Sequence, residues 1–502
     1  MASTVDQSQS GIVDAFESGA LTGGPRPARI DTHLSHVFLT PELAYKLKRA
    51  VKLPFVDFST AQRRRAACDN ELAINRRQAP ALYLRVEDVT RTGDGRLTLG
   101  GEGNVIDSVV VMKRFRDADL FDRMARDGRL TRALVEYTAR AIAVFHSALE
   151  PVQRSGETDR LATIIAQLEE TEREGVARLG AQRIGAPLFG ALRGELDRRH
   201  AMIASRRSAG KIRRGHGDLH LGNICLFEGV PTLFDAIEFS DDIATCDVLY
   251  DFAFLLMDLE HRGQRSLANA ALNRYFDTAR EDESALVLLP FFMALRATVR
   301  MAVLTQSGDL PQAVSYRDLG AEILAPQTTR LVAIGGLSGT GKSAAARELA
   351  SALPGACGGR ILRSDVLRKE VYNTGGGAPV SYTAHARRDV YARLMERVQD
   401  ALEGASVIAD ATFQETAARD AVEAAVPPQR LLAIWLTAPL AVRTARVTSR
   451  RGDVSDADAK IAATQQEPSD LSAAWHIVDA SGTPGETLQR IQWLIAPAKS
   501  RA

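Results

Sequence analysis

The chain has 502 residues, more than a single ordinary domain of about 100–200 residues uses. Hydrophobic residues make up 45% and charged residues 25%, a globular composition that excludes a largely disordered chain. Lys and Arg total 63 against 62 for Asp and Glu, so the net charge of +1 lacks the basic excess typical of nucleic-acid-binding proteins.

The first third of the chain predicts a short arm followed by a small antiparallel sheet. Residues 1–28 are small and polar, end in GGPRP and predict a flexible arm. They lack the basic and apolar regions of a secretory signal. Strand patterns bounded by Gly and Pro turns then surround one helical pattern. The predicted strands are 36–40, 44–51, 81–90, 96–100 and 104–115, and the predicted helix is 63–78.

The pattern from residue 120 to 306 is mainly helical, so we assign 29–306 to one domain. A polar segment of short strands and loops, 212–239, interrupts these helices, which is typical of a segment that holds a site. The most apolar stretch, 285–304, contains a proline and two arginines. It therefore predicts a buried helix of this domain and not a membrane span.

The interrupting segment carries the spacing HxDxxxxN in His216, Asp218 and Asn223, with Asp235 seventeen residues after Asp218. This set supplies a carboxylate to accept a hydroxyl proton, and an amide oxygen and second carboxylate to bind Mg²⁺. Phosphoryl transfer needs these groups, and protein kinases carry them in the same order. His216 is interpreted as a structural histidine that holds the loop.

The HGDxxxxN form of this motif resembles the aminoglycoside phosphotransferase and choline kinase group, over about residues 34–300. The resemblance implies a protein-kinase-like, bilobal α+β fold. It implies Asp218 as the catalytic base and Asn223 and Asp235 as metal ligands. Asp247 and Asp251 are similar to structural acidic positions of that group.

The same resemblance requires a strand lysine paired with a helix glutamate, to bind the nucleotide phosphates. Lys46 and Lys48 share one strand face, and we choose Lys48 on its spacing. Glu71 is the expected partner, ahead of Asp69. The sequence departs from the group's pattern in having no GxGxxG loop and in carrying Glu238 just after the metal aspartate, so Glu238 is an alternative metal or substrate contact.

Residues 307–329 predict a partly helical linker, and the pattern of apolar and polar residues changes after it. Short apolar strands alternate with helical segments from residue 330 to the end, which predicts an α/β P-loop NTPase domain with a parallel sheet.

The first strand of this domain runs into GLSGTGKS, a complete P-loop motif that opens a helix. Glycines let backbone N–H groups turn around phosphate oxygens, and the helix N-terminus adds partial positive charge. Lys342 is expected to reach the β- and γ-phosphates and Ser343 to bind Mg²⁺. The predicted nucleotide-binding residues are Gly336, Gly339, Thr340, Gly341, Lys342 and Ser343.

Acidic and basic residues follow the other predicted strands. Asp365 is a candidate acceptor contact or base, and Asp410 a candidate Mg²⁺ ligand, although each could instead cap a helix. Arg368 is a candidate substrate contact. Arg446 and Arg450, four residues apart on one helix, are candidates to bind nucleotide phosphate, with a solvated face as the alternative.

This half resembles small P-loop kinases of the gluconate kinase, shikimate kinase and zeta-toxin group, over roughly 331–480. The segment 445–458 is similar to their arginine-bearing lid. The whole chain resembles a fusion of the two groups, as in the bifunctional aminoglycoside phosphotransferase/ATP-binding protein family.

The leading hypothesis is a kinase with two sites, using ATP and Mg²⁺ on hydroxyls of small polar molecules. One alternative is that one half is a nucleotide-binding regulator of the other; another is a toxin-like or protein-modifying kinase. Four scattered cysteines without a CxxC pair indicate a reduced, cytoplasmic protein. The sequence leaves both acceptors, the choice between ATP and GTP, and the oligomeric state open.

Overall fold

A computed structural model of the chain describes residues 7–53, 56–153, 156–372, 384–449 and 463–495. The strands are β1 (Ala28–Asp31), β2 (Ser35–Leu39), β3 (Leu43–Lys48), β4 (Lys52–Leu53), β5 (Val56–Asp57), β6 (Tyr83–Arg91), β7 (Leu97–Leu99), β8 (Asn104–Lys113), β9 (Ile212–Arg214), β10 (Ile224–Phe227), β11 (Val230–Leu233), β12 (Thr245–Asp247), β13 (Leu331–Gly336), β14 (Arg360–Arg363), β15 (Val407–Asp410), β16 (Leu431–Thr437) and β17 (Trp475–Asp479). The helices are α1 (Gln7–Glu17), α2 (Ala61–Asn75), α3 (Phe121–Arg126), α4 (Arg132–Ala148), α5 (Glu157–Leu179), α6 (Ala186–Ser208), α7 (Asp241–Ala244), α8 (Val248–His261), α9 (Arg265–Ala279), α10 (Leu289–Ser307), α11 (Leu310–Leu324), α12 (Lys342–Leu349), α13 (Ser364–Tyr372), α14 (Ala384–Leu402), α15 (Thr416–Ala425), α16 (Leu440–Ser449) and α17 (Pro484–Ile495).

The chain divides into two compact units. Unit 1 comprises residues 1–155 and 205–258, and unit 2 comprises 156–204 and 259–502. Residues 259–306, which the sequence assigns to the first domain, thus group with the P-loop segment. Compact packing therefore does not follow the domain boundary drawn from the sequence.

Unit 1 is built on a six-stranded antiparallel sheet in the order β1-β2-β3-β8-β6-β7. Every strand that the sequence predicts is present. Alternate residues of β3 face opposite sides of this sheet. Tyr45 and Leu47 pack into one core cluster, and Ala44 packs into a second cluster with residues of α2.

The predicted flexible arm is wrong for residues 7–17, which form α1. Ile12 and Phe16 of this helix are buried, and the Phe16 ring stacks on Phe38 at a centroid distance of 4.5 Å. Gln9 is also buried and donates a hydrogen bond to the carbonyl oxygen of Lys48. The helix was missed because its few apolar residues stand among small and polar ones.

Unit 2 contains a five-stranded parallel sheet in the order β14-β15-β13-β16-β17. It confirms the predicted α/β P-loop fold, and β17 is a strand that the sequence analysis did not identify. The central strand β13 is buried along its whole length, as expected for a strand covered on both faces. Strand β13 leads through the P-loop into α12, so the motif lies at the carboxyl edge of the sheet.

Helix α9 holds the segment before β14 by a polar stripe with one residue at every fourth position. Arg265 donates to the carbonyl oxygens of residues 351 and 355 at 2.8 and 2.7 Å, and Asn269 donates to those of 357 and 359. Asn273 accepts the N–H of residue 361 at 2.7 Å. Asp277 completes the stripe with an ion pair of 2.6 Å to the buried Arg360.

Among the described residues, one helical stretch is long and apolar enough to cross a membrane by length and composition alone. It is Glu283–Ser307, and its most apolar window is 78% buried inside the fold. The predicted linker is partly helical, as expected, because α11 lies within it and packs on α10. Both helices contribute to the helical part of unit 2.

Candidate functional sites

Strand β3 presents two lysines to the face of the sheet that α2 covers. The Nζ of Lys46 lies 2.8 Å from a carboxylate oxygen of Glu71 and also contacts Asp235. The Nζ of Lys48 lies 2.5 Å from the other oxygen of Glu71 and contacts Glu238. The expected pairing of Lys48 with Glu71 is therefore present, but Lys46 is the lysine that reaches the predicted metal aspartate. These five residues are referred to below as the lysine–carboxylate cluster.

Charge compensation decides the protonation of this cluster. Burial alone would raise the pKa of Glu71, but Lys46 and Lys48 outweigh burial and bring it to about 2. Burial also opposes the charge of Lys46, yet Asp235 and Glu71 keep its pKa well above the ordinary value. Burial raises the pKa of Glu238, although Lys48 opposes this shift. Two lysines thus hold the fully buried Glu71 in its ionised form.

The predicted catalytic loop follows β9 and forms a tight polar turn. The Nδ2 of Asn223 donates to the main-chain oxygen and to a carboxylate oxygen of Asp218, both at 2.9 Å. The Asp218 side chain is 39% exposed, so its carboxylate is open to solvent and to a substrate. Gly217 has φ 82°, and a Cβ there would lie 3.0 Å from Ile237. The loop therefore requires glycine immediately before Asp218, the predicted catalytic base.

A buried carboxylate fixes the main chain of this loop. Asp251 accepts the N–H groups of His216 and Gly217 at 2.7 and 2.9 Å, and the ring of His146 at 3.2 Å. The Nε2 of His216 donates to the carbonyl oxygen of Phe234 at 2.9 Å. These contacts place His216 and Asp251 in the structural roles that the sequence analysis expected.

The predicted metal aspartate stands on strained backbone. Asp235 has φ 61°, which is uncommon for a residue with a side chain and often marks a functional position. Its N–H donates to the hydroxyl of Tyr83 at 3.1 Å, and the next N–H, of Ala236, donates to Asn75 at 2.9 Å. Sequence reasoning missed Tyr83 and Asn75, since neither belongs to a motif.

The oxygen atoms gathered at this site are of the type that Mg²⁺ prefers. Asp218, Asn223 and Asp235 supply carboxylate and amide oxygens, and the Asp235 side chain is 40% exposed. Glu238 is buried against Lys48, and this disfavours its alternative reading as a metal ligand. Within the described parts of the chain, no group of three or more His, Cys, Asp or Glu side chains is arranged to hold a metal ion by itself. The residues present fit a metal that is shared with phosphate oxygens.

The P-loop of unit 2 has the backbone that its motif predicts. Gly336, Gly339 and Gly341 all have positive φ, and a Cβ on Gly339 would lie 2.4 Å from the carbonyl oxygen of Arg443. Thr340 is buried and donates to a carbonyl oxygen of the same loop at 2.8 Å. Glycine is therefore needed at position 339, where the P-loop backbone packs against the main chain of Arg443.

The polar side chains of the P-loop meet partners at the carboxyl edge of the sheet. Ser343 donates to a carboxylate oxygen of Asp410 at 2.6 Å, which is the pairing expected of two residues that share a metal. Lys342 donates to the carbonyl oxygen of Leu337 at 3.1 Å. The N–H of Ser338 donates to the side-chain oxygen of Gln465 at 2.7 Å, so a side chain occupies one donor of the phosphate-binding loop.

The remaining candidates of this half lie in different places. Asp365 and Arg368 form an ion pair of 2.9 Å within α13. Arg446 donates to the carbonyl oxygens of residues 480–482, and this loop contact differs from the predicted phosphate contact. Arg450 and most of the predicted lid lie outside the described residues. Arg363, which the sequence analysis passed over, stands beside Ser343 and Asp410.

Two family models match the chain. Residues 53–285 match the model described as the phosphotransferase enzyme family, and residues 331–470 match the model described as an AAA domain. Together with the P-loop domain, the first of these matches makes the chain a kinase. The predicted pairing of a kinase-like domain with a P-loop kinase domain is confirmed.

Related proteins extend over nearly the whole chain. Uncharacterized proteins of Mycobacterium tuberculosis and Mycobacterium bovis are 29% identical over 478 residues, which span 90% of this chain and 92% of each relative. A gluconokinase from Sinorhizobium meliloti is 20% identical, spans 33% of this chain and 90% of its own, and has a TM-score of 0.26. A choline kinase from Cryptosporidium parvum is 10% identical, spans 59% and 88%, and has a TM-score of 0.38.

Proposed function

We propose that this kinase uses ATP and Mg²⁺ to phosphorylate hydroxyl groups of small polar molecules, such as a sugar, an amino sugar or an amino alcohol. One observation carries the proposal. Lys46 contacts Glu71 and Asp235 together, and Asn223 holds Asp218 on the same catalytic segment. A phosphate-binding cation, a candidate metal ligand and a proton acceptor are the groups that phosphoryl transfer requires.

At the phosphotransferase site, each residue has a role that its contacts support. Asp218 would accept the proton of the acceptor hydroxyl, since its carboxylate is partly exposed and oriented by Asn223. Asn223 and Asp235 would hold Mg²⁺, which neutralises charge on the phosphate oxygens when it is bound. Lys46 would bind the phosphates, with Glu71 fixing its position.

At the P-loop site, the backbone from 336 to 343 and Lys342 would bind the nucleotide phosphates. Ser343 and Asp410 would hold Mg²⁺, and their hydrogen bond of 2.6 Å supports this pairing. Asp365 is the proposed acceptor contact, with Arg368 beside it as a substrate contact. The location proposed for the chain is the cytoplasm, supported by four buried free cysteines.

A regulatory role for the P-loop domain is the second candidate function. Gln465 occupies the N–H of Ser338, and Asp365 is paired with Arg368. A P-loop whose acceptor carboxylate is already paired fits a domain that binds nucleotide and controls the phosphotransferase site. In that case Lys342→Ala would change the rate of phosphorylation at the phosphotransferase site, and no phosphorylated product would be lost that depends on the P-loop site alone.

The test is product formation with Mg-ATP and a pooled library of sugars, amino sugars and amino alcohols, read as the mass gain of one phosphate. A product lost only in Asp218→Ala assigns the phosphotransferase site, and one lost only in Lys342→Ala assigns the P-loop site. Asp127→Ala and Lys52→Ala, both exposed, are the matched controls. Failure of the wild type to phosphorylate any acceptor, with ADP formation that Lys342→Ala abolishes, would replace the proposal by the regulatory or protein-modifying alternative.

A further inference from the structure

Arg363 is the last residue of β14, and the register of the parallel sheet places it opposite Asp410 of β15. Its Nη2 donates to the Ser343 hydroxyl oxygen at 3.0 Å, and its Nε lies 3.3 Å from a carboxylate oxygen of Asp410. That carboxylate oxygen also accepts the Ser343 hydroxyl at 2.6 Å. The guanidinium, the hydroxyl and the carboxylate therefore form a closed triangle.

The sheet holds this arrangement in place. Two neighbouring strands fix Arg363 and Asp410, and their side chains are only 16% and 4% exposed. Ser343 comes from the first turn of α12, which starts directly after the P-loop. A guanidinium stays charged at every physiological pH, so this site contains a permanent positive charge.

Ser343 and Asp410 are the two residues proposed above to hold Mg²⁺. A guanidinium that contacts both of these side chains repels a divalent cation that approaches the same oxygen atoms. We propose that Arg363 is a positioning residue that joins Ser343 to Asp410 and competes with Mg²⁺ for them. Loading of metal and nucleotide then requires the guanidinium to leave the pair, and Arg363 sets the Mg²⁺ concentration that loading needs.

This inference rests on the proposed nucleotide-binding function of the P-loop, and one binding experiment separates the two. Equilibrium binding of a fluorescent ADP analogue is measured across free Mg²⁺ concentrations. Only the binding that Lys342→Ala removes is assigned to the P-loop. The readout is the Mg²⁺ concentration that gives half of the metal-dependent gain in affinity, which needs no turnover.

Arg363→Gln is expected to lower this half-saturating Mg²⁺ concentration about tenfold, because one unit charge next to the metal is removed. Arg363→Met keeps the aliphatic stem and should behave alike, which guards against a folding defect peculiar to one variant. Arg363→Lys keeps the charge and should stay near the wild type. Arg393→Gln, which removes a guanidinium from an exposed surface pair on α14, is the matched control and should leave the value unchanged.

Each outcome decides between the two proposals. An unchanged or raised Mg²⁺ requirement in both Arg363→Gln and Arg363→Met overturns the role of Arg363 and leaves the P-loop function standing. A wild-type protein without any nucleotide binding that depends on Lys342 overturns both proposals together. A half-saturating Mg²⁺ concentration that is lowered in Arg363→Gln and Arg363→Met, but not in Arg363→Lys or Arg393→Gln, supports the proposal that Arg363 competes with Mg²⁺.

Discussion

Removal of the Lys48 charge tests how the lysine–carboxylate cluster is stabilised. Lys48 is 1% exposed, and its ammonium group contacts Glu71 and the nearly buried Glu238. In Lys48→Met, Glu71 keeps Lys46 as a partner, but Glu238 loses its ion pair in a buried position. Removing one partner of a buried pair costs about 3–5 kcal/mol, so we expect the free energy of unfolding of unit 1 to fall by about this amount.

A second substitution makes the prediction specific. Lys48→Met combined with Glu238→Gln removes both charges and should recover at least half of the loss, because no uncompensated charge is left. Lys113→Met breaks a comparable pair with Glu228 on the surface of the same unit, where both side chains are about half exposed. That control should cost about 1 kcal/mol or less.

The assay must observe unit 1 by itself. The three tryptophans of the chain, Trp435, Trp475 and Trp493, all lie in unit 2, so tryptophan fluorescence reports on unit 2 and not on unit 1. Hydrogen exchange of the peptide that covers β3, measured by mass spectrometry in increasing urea, reports on unit 1. A loss below about 1 kcal/mol in Lys48→Met, or a double variant as unstable as the single one, would refute the electrostatic account.

Three further predictions follow from the contacts and the burial of residues described above. Lys46→Met should lower phosphoryl transfer at the phosphotransferase site by about 10²–10³-fold in single-turnover assays, and a loss confined to Lys48→Met would contradict this order. Burial lowers the pKa of His216, so the histidine of the unfolded state takes up a proton at a higher pH than that of the folded state. The stability of unit 1 should therefore decrease as the pH falls below about 6.5, and His216→Gln should make that decrease smaller in the same exchange assay. Burial raises the pKa of Cys68 and Cys225 to about 12, so the native protein at pH 8 should resist a thiol reagent that labels all four cysteines in denaturant. Rapid labelling of the native protein would be inconsistent with the burial of these cysteines.

The motifs could be read from the sequence because their chemistry depends on spacing along one segment. Asp218 and Asn223 lie five residues apart on one loop, and Lys342 and Ser343 lie on one P-loop. Two side chains that lie so close in sequence keep nearly the same relative position in every protein in which the local backbone has the same conformation. For this reason the loop contacts of Asp218 and the pairing of Ser343 with a strand-end aspartate were within reach of sequence reasoning.

The choice between Lys46 and Lys48 could not be made in this way. The two lysines share one face of β3, and their contacts differ only because Asp235 lies next to Lys46 and Glu238 next to Lys48. Those carboxylates come from a segment almost 190 residues further along the chain. The register of Arg363 against Asp410 is likewise a property of the assembled sheet, which no local pattern contains.

The polar stripe of α9 has a consequence for dissecting the chain. A P-loop fragment that began at residue 330 would lack α9 and would leave the Arg360 guanidinium without Asp277 and Glu283. Arg265, Asn269 and Asn273 of the stripe bond to main-chain atoms between residues 351 and 361, so one inserted or deleted residue in that segment would move these atoms away from their partners. We therefore do not expect the P-loop domain to fold as an independent fragment when it is cut at residue 330, the boundary that its sequence motifs suggest.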